Sequence, residues 1–311
     1  MISFKQLFLL MIFCIAPTIY AYKHELAVCA IFQNESRFLK EWLEFYKLVG
    51  VEHFYLYDNN STDNYKEILY PYIKAGQVSL MRWPCTNKDL NAQITAFNHC
   101  LNKVRGKAKW VAFLDLDEFL FAVKQNSLRE FLRDYEEYGA VCANWVMFGT
   151  SDVDIIPKNK LMVEVLTMRA TITPHLRKHV KSIVQPEKVI AVDSHGATQF
   201  KADFFAVTAD KRRHSGHLCL PLTTEILRVN HYWTRDKKWV EDIKIPRAED
   251  LKINLMLGDD ESWYITAAKA HSITPTEYVL AVADFMNAEQ DLTIQRFVLP
   301  LRKAMGLDGV E

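Results

Sequence analysis

An Asp-X-Asp pair, Asp115 and Asp117, follows an apolar run that begins at Trp110 and is typical of a buried strand. Because side chains in a strand alternate between faces, the two carboxylates are predicted to project to the same side. Two such carboxylates repel each other unless a cation lies between them. Oxygen ligands favour hard ions such as Mg2+ or Mn2+ over zinc, and these ions commonly hold phosphates. The alternative interpretation is a strand end followed by a solvated acidic turn.

The residues before this pair alternate between strand patterns and helix patterns. This alternation predicts an α/β fold with a mostly parallel, Rossmann-like sheet flanked by helices. No Gly-rich dinucleotide loop or P-loop follows the first strand, which disfavours dinucleotide dehydrogenases and P-loop kinases. The predicted strands are Glu25–Phe32, Glu52–Tyr57, Gln77–Trp83 and Trp110–Leu114, and the predicted helices are Arg37–Val49, Asn64–Lys74 and Asn91–Arg105.

Polar residues follow the predicted strands at the edge where parallel sheets bind ligands. Asn34 and Glu35 follow the first strand and Asp58 follows the second, so all three are candidates for contacts with a nucleotide or sugar. Helix capping and turn formation explain these residues equally well. Trp145 is a candidate platform for sugar stacking or a core residue. His231 is a candidate nitrogen ligand for the metal.

The C-terminal half has a less regular pattern. A helix is predicted at Ser127–Tyr138 and a strand at Gly139–Phe148, while Lys181 and Lys188 begin two short β-like runs. Contact with a diphosphate is one interpretation of these two lysines, and solvated surface lysines are the preferred one. The remaining predicted helices cover residues 235–256 and Pro275–Met305, the latter interrupted at Pro300.

The composition is that of a globular protein. Half of the 311 residues are apolar, the formal charges cancel, and no basic run indicates a nucleic-acid partner. Residues 22–311 are predicted to form a single domain. Of the six cysteines, Cys29 and Cys142 are expected to be buried thiols, and a disulfide between Cys85 and Cys100 is possible.

The first 21 residues are interpreted as a separate segment. An apolar run from Leu7 to Tyr20, preceded by Lys5, is typical of a secretory signal peptide, and a short membrane anchor is the alternative. The run is shorter than the roughly 20 residues of a comfortable spanning helix. We therefore expect a secretory-pathway or membrane-associated protein, with secretion and membrane association both possible.

Several longer stretches carry a family resemblance that spans about residues 29–244. The chain resembles nucleotide-sugar transferases of the GT-A fold and, more narrowly, the family 92 glycosyltransferases. It departs from the family pattern at Asp152, where Gly is usual, and at Arg235–Asp236, where Lys-Ser is usual. The matching stretches are CAIFQNESRFLKEWLEFYKLVGVEHFYLYDNNSTD, QITAFNHCL, WVAFLDLDEFL, NWVMFGTS, KSIVQPEKV and NHYWTRDKKWVEDIK.

The resemblance implies the transfer of a sugar to a glycan or glycoconjugate hydroxyl with inversion, and galactose from UDP-galactose is the expected sugar. A Mn2+ or Mg2+ ion held by Asp115 and Asp117 would act as a Lewis acid on the departing diphosphate. An inverting transfer also needs a carboxylate that takes the proton of the acceptor hydroxyl. Asp152, Glu118 and Glu164 are the candidates, and Glu118 is expected on the strand face opposite the metal.

Two other classes of protein also account for parts of the pattern. In a haloacid-dehalogenase-type phosphatase, a strand is likewise followed by Asp-X-Asp, and Leu257–Asp260 resembles its second acidic cluster. That motif requires Thr or Val shortly after the second Asp, whereas Glu118 and Phe119 stand here. A non-catalytic glycan-binding protein with the same fold is the second alternative, since an intact acidic pair does not prove turnover.

Overall fold

The structure is a computed structural model that describes residues 22–85, 92–171, 179–246 and 274–309. Its centre is a ten-stranded sheet, and the first four strands of the chain form one side of it in the order β4-β1-β2-β3. These four strands are parallel to their neighbours. They are β1 (His24–Phe32), β2 (His53–Asp58), β3 (Val78–Arg82) and β4 (Ala108–Phe113).

Three helices connect these strands and cover both faces of the sheet. Alternate residues of β1 enter two different cores: Val28 joins the core that contains Trp42, and Cys29 joins the core that contains Phe97. Both faces are therefore buried, which explains why β1 is an almost continuous apolar run. The helices are α1 (Ser36–Leu48), α2 (Tyr65–Lys74) and α3 (Ala92–Val104). The predicted α/β fold with a mostly parallel sheet flanked by helices is confirmed.

Six strands of the C-terminal half extend the same sheet in mixed directions. The eighth strand lies between β4 and the sixth strand and is antiparallel to both. The sixth strand is parallel to the eleventh and the thirteenth. The strands are β5 (Glu118–Ala122), β6 (Ala140–Met147), β7 (Met168–Arg169), β8 (Val180–Val184), β9 (Val189–Val192), β10 (Ala197–Phe200), β11 (Ala206–Thr208), β12 (Arg213–His214), β13 (Leu227–His231) and β14 (Glu289–Gln290). Of these, β9 with β10 and β7 with β14 form two separate two-stranded sheets.

The helices of this half are shorter than the sequence pattern predicts. Ser127–Tyr138 is helical only in part, and the helix predicted for residues 235–256 contains a π-helical turn, Val240–Lys244, while residues 247–256 lie outside the described residues. The helices are α4 (Leu128–Leu132), α5 (Met162–Val165), α6 (Lys237–Trp239), α7 (Pro275–Phe285) and α8 (Val298–Met305), with 3-10 turns at Arg133–Tyr135 and Thr293–Phe297.

The predicted interruption at Pro300 is wrong. The helical segment breaks after Phe285, and Pro300 lies in the first turn of α8. An N–H group in the first turn of a helix has no partner within the helix, so proline is tolerated there.

Two further expectations concern cysteines and membrane spans. No disulfide joins Cys85 to Cys100, and Cys29, Cys100, Cys142 and Cys219 are free thiols. Burial raises the pKa of the Cys142 thiol to about 12, as expected of a core residue. Within the described part of the chain, no helix is long and apolar enough to cross a membrane. The predicted signal peptide lies outside that part.

Candidate active site

Asp115 and Asp117 belong to an acidic turn, residues 114–117, that connects β4 to β5 at the carboxyl edge of the parallel strands. β4 ends at Phe113, and the Glu118 N–H donates to the Asp115 carbonyl at 3.2 Å to close the turn. The prediction that strand alternation aligns the two carboxylates is therefore wrong, because neither residue lies in a strand. A tight turn between two buried strands holds both at this edge instead.

Asp115 is held by two side chains from distant parts of the chain. Lys181 of β8 places its Nζ 2.9 Å from Asp115 Oδ2, and Gln93 of α3 donates to Oδ1. Lys181 Nζ also donates to the Ser194 carbonyl at 2.8 Å and lies 3.4 Å from a Glu118 oxygen. Burial opposes the ammonium charge, but Asp115 and Glu118 outweigh burial and raise the pKa of Lys181. Lys181 is thus a buried cation, and its interpretation as a solvated lysine is wrong.

Asp117 has different neighbours, and its contacts with them are longer. His231 Nε2 lies 3.4 Å from Asp117 Oδ1, and Lys244 Nζ lies 3.7 Å from Oδ2. The Tyr232 N–H donates to the Asp117 carbonyl at 2.8 Å, which ties the acidic turn to the end of β13. Burial favours the neutral acid, but His231 and Lys244 outweigh it and hold the pKa of Asp117 well below its usual range. Asp117 is therefore ionised, and the His231 and Lys244 nitrogens that face it stand beyond typical hydrogen-bonding distance.

An ion pair between the buried Arg235 and the partly buried Glu35 adjoins this group. Arg235 Nη1 lies 2.5 Å from Glu35 Oε2, and the arginine side chain is 1% exposed. Its guanidinium lies 4.3 Å from the ring centroids of both Phe38 and Trp239. Glu35 is the N-cap residue of α1, yet its side chain makes no capping hydrogen bond, so capping does not explain this residue.

Asn34 and Asp58 stabilise the turn that follows β2. Asn34 Oδ1 accepts from the Thr62 N–H at 2.7 Å. The buried Asp58 carboxylate accepts from the Ser61 N–H at 2.9 Å and from the Tyr65 hydroxyl at 2.8 Å. Turn formation thus accounts for both residues. They lie at the same edge of the sheet as the acidic turn, and their contact with a nucleotide stays a prediction.

Trp145, near the carboxyl end of β6, packs among several imidazole rings. Its ring centroid is 4.6 Å from that of His231, 5.1 Å from His179 and 5.4 Å from His195. The indole Nε1 is buried without a hydrogen-bond partner among the described residues. Trp145 is half-buried and borders the metal-ligand candidate His231, and its role as a sugar platform stays a prediction.

The three candidates for the catalytic base lie in different surroundings. Glu118 is fully buried, accepts from the Asp115 N–H at 2.9 Å, and therefore lies beside Asp115 rather than on an opposite face. Burial raises the pKa of Glu118 to about 7, and Lys181 opposes this shift. Glu164 lies 2.9 Å from the Arg302 guanidinium, whereas the Asp152 carboxylate is 84% exposed in the loop after β6. Asp152 is the most accessible of the three.

The acidic turn and its surroundings fit a divalent cation. Asp115 and Asp117 supply oxygen atoms, and the imidazole of His231 stands next to Asp117 with a buried, unpartnered Nδ1. In the ranges that the structure describes, no three His, Cys, Asp or Glu side chains are grouped closely enough to hold an ion alone. Mg2+ commonly binds proteins through only one or two carboxylates, and substrate phosphates and water complete its shell.

Sequence reasoning missed Gln93 and Lys244 and did not foresee the buried position of Arg235. These are polar residues on or beside helices, and no spacing connects them to the acidic turn. Lys181 carried a usable signal, because a lysine inside the apolar run of β8 needs a buried partner. Lys188 instead donates to the Tyr138 carbonyl at 3.3 Å, away from the acidic turn.

The fold and the acidic turn together define an α/β protein with a candidate site for a metal ion and a phosphate. The chain belongs to glycosyltransferase family 92, whose model matches residues 24–258. The resemblance seen in the sequence is thereby confirmed.

Several curated proteins are similar to this chain. It is 30% identical to a glycosyltransferase family 92 protein of Ricinus communis, over 67% of this chain and 35% of that protein. It is 32% identical to a family 92 protein of Oryza sativa subsp. japonica, over 53% of this chain and 27% of that protein. It is 24% identical to the β-1,4-galactosyltransferase galt-1 of Caenorhabditis elegans, over 72% of this chain and 51% of that protein. The chain thus spans only part of the length of these relatives.

Proposed function

We propose that this chain is a metal-dependent glycosyltransferase that moves galactose from UDP-galactose, with inversion, to a glycan hydroxyl. The observation that carries the proposal is the acidic turn, where an ionised Asp117 at the ligand-binding edge of the sheet faces His231 and Lys244. Membership of family 92 supports the transferase class. The similarity to a protein named β-1,4-galactosyltransferase supports galactose as the sugar.

Each side chain of the site has a role in this proposal. Asp117 and His231, with Asp115, would hold a Mn2+ or Mg2+ ion, which stabilises negative charge on a departing diphosphate. Lys181 keeps the Asp115 carboxylate in one position from inside the sheet. Asp152 takes the proton of the acceptor hydroxyl, because its carboxylate is exposed to solvent whereas the Glu118 side chain is fully buried.

The donor-side assignments rest on location. Asn34, Glu35 and Asp58 follow β1 and β2 at the same edge of the sheet as the acidic turn, which supports contacts with the nucleotide or sugar. Trp145 offers an aromatic ring beside His231 for the sugar. The secretory or membrane-associated location is likewise proposed from the sequence of residues 1–21.

Different observations bear on the two alternatives, a phosphatase and a non-catalytic glycan-binding protein. Family membership argues against the haloacid-dehalogenase-type phosphatase, whose second acidic cluster, Leu257–Asp260, lies outside the described residues. A non-catalytic glycan-binding protein would share the family and the fold, so only a turnover measurement separates it from an enzyme.

The proposal is tested by UDP release from a panel of UDP-sugars with a glycan acceptor. We expect release from UDP-galactose that stops when EDTA is added and resumes when Mn2+ or Mg2+ is restored. Purified protein should not hydrolyse p-nitrophenyl phosphate, which a phosphatase would. The proposal is overturned if neither ion supports UDP release and Asp117→Asn changes nothing.

A further inference from the structure

We propose that Asp236 and Asn287 are positioning residues that hold the two ends of the Asp152 loop, residues 148–156. By fixing the loop, they fix where the Asp152 carboxylate meets the acceptor hydroxyl. The inference rests on the proposed function, in which Asp152 takes the acceptor proton, and adds two residues that the sequence pattern does not assign. Four observations support it: the location of the loop, its backbone conformation, the hydrogen bonds along it and the exposure of Asp152.

The Asp152 loop begins at the same edge of the sheet as the acidic turn. β8 is antiparallel to both β4 and β6, so β6 runs in the direction of β4 and the two strands end at one edge. The first residue of the loop, Phe148, donates its N–H to the His231 carbonyl at 2.9 Å. Its carbonyl accepts from the Thr234 hydroxyl at 3.3 Å. The loop is therefore anchored beside His231, the residue that faces Asp117.

Two consecutive residues of the loop have a left-handed backbone conformation. The φ angle is 52° at Ser151 and 59° at Asp152, and neither residue is glycine. Residues with a Cβ atom adopt this conformation uncommonly, and they keep it where the surrounding structure holds them. Such residues also cluster at functional sites. The conformation at Asp152 therefore points to contacts elsewhere in the loop that hold it.

Asn287 holds the first end of the loop through its side-chain amide. The Ser151 N–H donates to Asn287 Oδ1 at 2.7 Å, and Asn287 Nδ2 donates to the Thr150 hydroxyl at 3.0 Å. A Cβ atom added at Gly149 would lie 2.3 Å from Asn287 Oδ1, so the amide fits because residue 149 has no side chain. The Ser151 hydroxyl in turn accepts from the Met168 N–H at 2.8 Å. This end of the loop is thus held directly before Asp152.

Asp236 holds the other end of the loop from a fully buried position. Its Oδ2 atom accepts from the Ile156 N–H at 2.8 Å. Its Oδ1 atom accepts from the Trp239 N–H at 2.9 Å, which makes Asp236 the N-cap of α6. The Arg37 guanidinium donates to both oxygens, with Nη1 at 3.3 Å from Oδ1. Both oxygens of the carboxylate are therefore engaged, and Arg37 balances its charge.

Main-chain hydrogen bonds join the middle of the loop to the start of α6. The Lys237 N–H donates to the Val153 carbonyl at 2.9 Å, and the Lys238 N–H donates to the Asp154 carbonyl at 3.0 Å. The Asp152 side chain is nevertheless 84% exposed. The backbone is thus held on both sides of Asp152 while the carboxylate stays open to an incoming acceptor. A general base needs this combination, because proton transfer requires both access and a fixed geometry.

The test measures UDP release by the full chain and its variants with Mn2+ present. UDP-galactose and β-1,4-galactotetraose are the first donor and acceptor tested, and the most active pair from the UDP-sugar panel replaces them if it differs. The single variants are Asp152→Asn, Asp236→Asn and Asn287→Ala, and Asp152→Asn is also combined with each of the other two. Asp154→Asn is the matched control, since its carboxylate lies in the same loop and is 87% exposed.

Two further measurements separate positioning from a general loss of structure. Thermal unfolding checks that each variant is folded. Hydrogen exchange followed by mass spectrometry reports the mobility of residues 148–156. We expect exchange in this segment to be roughly fivefold faster in Asp236→Asn and in Asn287→Ala, because each loses a hydrogen bond to the loop backbone.

We expect Asp152→Asn to lower kcat by about a hundredfold, the usual contribution of a general base. Asp236→Asn and Asn287→Ala should each lower kcat by about tenfold, because a loosened loop misplaces the carboxylate. The KM for the donor should stay within about twofold in both, since neither residue contacts the acidic turn. Each double variant should match Asp152→Asn within about twofold, because a misplaced base costs nothing once the base is gone. Asp154→Asn should behave as the wild type.

The inference is overturned if folded Asp236→Asn and Asn287→Ala variants keep the wild-type kcat. It is also overturned if their losses multiply with that of Asp152→Asn, because the two residues would then act by another route. Asn287→Ala and its double variant decide the matter if Asp236→Asn does not fold. None of these results touches the proposed function. A wild type without UDP release, or an Asp152→Asn variant with full activity, would overturn the proposed role of Asp152 and this inference with it.

Discussion

The two carboxylates of the acidic turn differ in how the rest of the chain holds them. Asp115 is 34% exposed, yet Lys181 contacts it at 2.9 Å from inside the sheet. Asp117 is only 14% exposed, yet His231 Nε2 and Lys244 Nζ stand 3.4 Å and 3.7 Å from its carboxylate oxygens. The more exposed carboxylate is therefore the more firmly engaged one. A carboxylate can therefore be exposed to solvent and still be occupied by a cationic side chain. Whether it can bind a metal ion depends on both its exposure and its existing partners.

The largest expected effect comes from removing each carboxylate in turn. Asp117→Asn should lower the rate of UDP release with Mn2+ by about a hundredfold or more, because it removes the charge that attracts the ion. Asp115→Asn should cost less, about tenfold, because Lys181 already balances that carboxylate. The measurement is the initial rate at saturating UDP-galactose.

Asp242→Asn is the control for these variants, since Asp242 pairs with Lys238 on the surface and should tolerate the change. Equal losses for Asp115→Asn and Asp117→Asn would break the comparison, because they would mean that the two carboxylates share one role.

A second prediction concerns how much the contacts of Lys181 with Asp115 and Glu118 stabilise the folded chain. Lys181→Met should lower the free energy of unfolding by about 3 kcal/mol, because it leaves Asp115 and the buried Glu118 without their cation. Urea unfolding monitored by circular dichroism measures this change. Lys237→Met removes an exposed lysine that lies 3.5 Å from Asp152, and no measurable loss is expected there. A Lys181→Met variant as stable as the wild type would show that Lys181 does not stabilise the acidic turn.

The smallest expected effect is a pH dependence of the free energy of unfolding that arises from His195, a neighbour of Lys181. Burial, with the nearby charges of Lys181 and His179, lowers the pKa of His195 from 6.5 to about 4. The folded chain thus binds fewer protons than the unfolded chain between these values, so this contribution to stability is complete above pH 6.5 and is lost as the pH falls towards 4. The cost should be about 2.5 kcal/mol at pH 4.5.

Urea unfolding at pH 7.5 and 4.5 separates this histidine from other titrating groups. His195→Gln should show a smaller loss of stability on acidification than the wild type does. An identical loss in both proteins would mean that His195 is not the group that titrates.

The predicted elements of the N-terminal half were confirmed because each was encoded by local periodicity. The run ELAVCAIF predicts a strand that is buried on both faces, and α1 and α3 do pack on opposite sides of β1. In the C-terminal half the elements are short, and the pattern was misread at Pro300, which lies in the first turn of α8 and interrupts no helix. Residues 237–246 are helical as predicted, with a π-helical turn at Val240–Lys244.

The amino-acid sequence by itself determined the family, the parallel α/β core and the location of the acidic pair after a buried strand. The tertiary structure alone decided which cation faces which carboxylate, because Lys181 and Lys244 lie far along the chain from the acidic turn. Insertion of β8 between β4 and β6 brings Lys181 to Asp115, and the π-helical turn brings Lys244 to Asp117. Local patterns report which side chains are buried, whereas strand order and helix geometry decide what they are buried against.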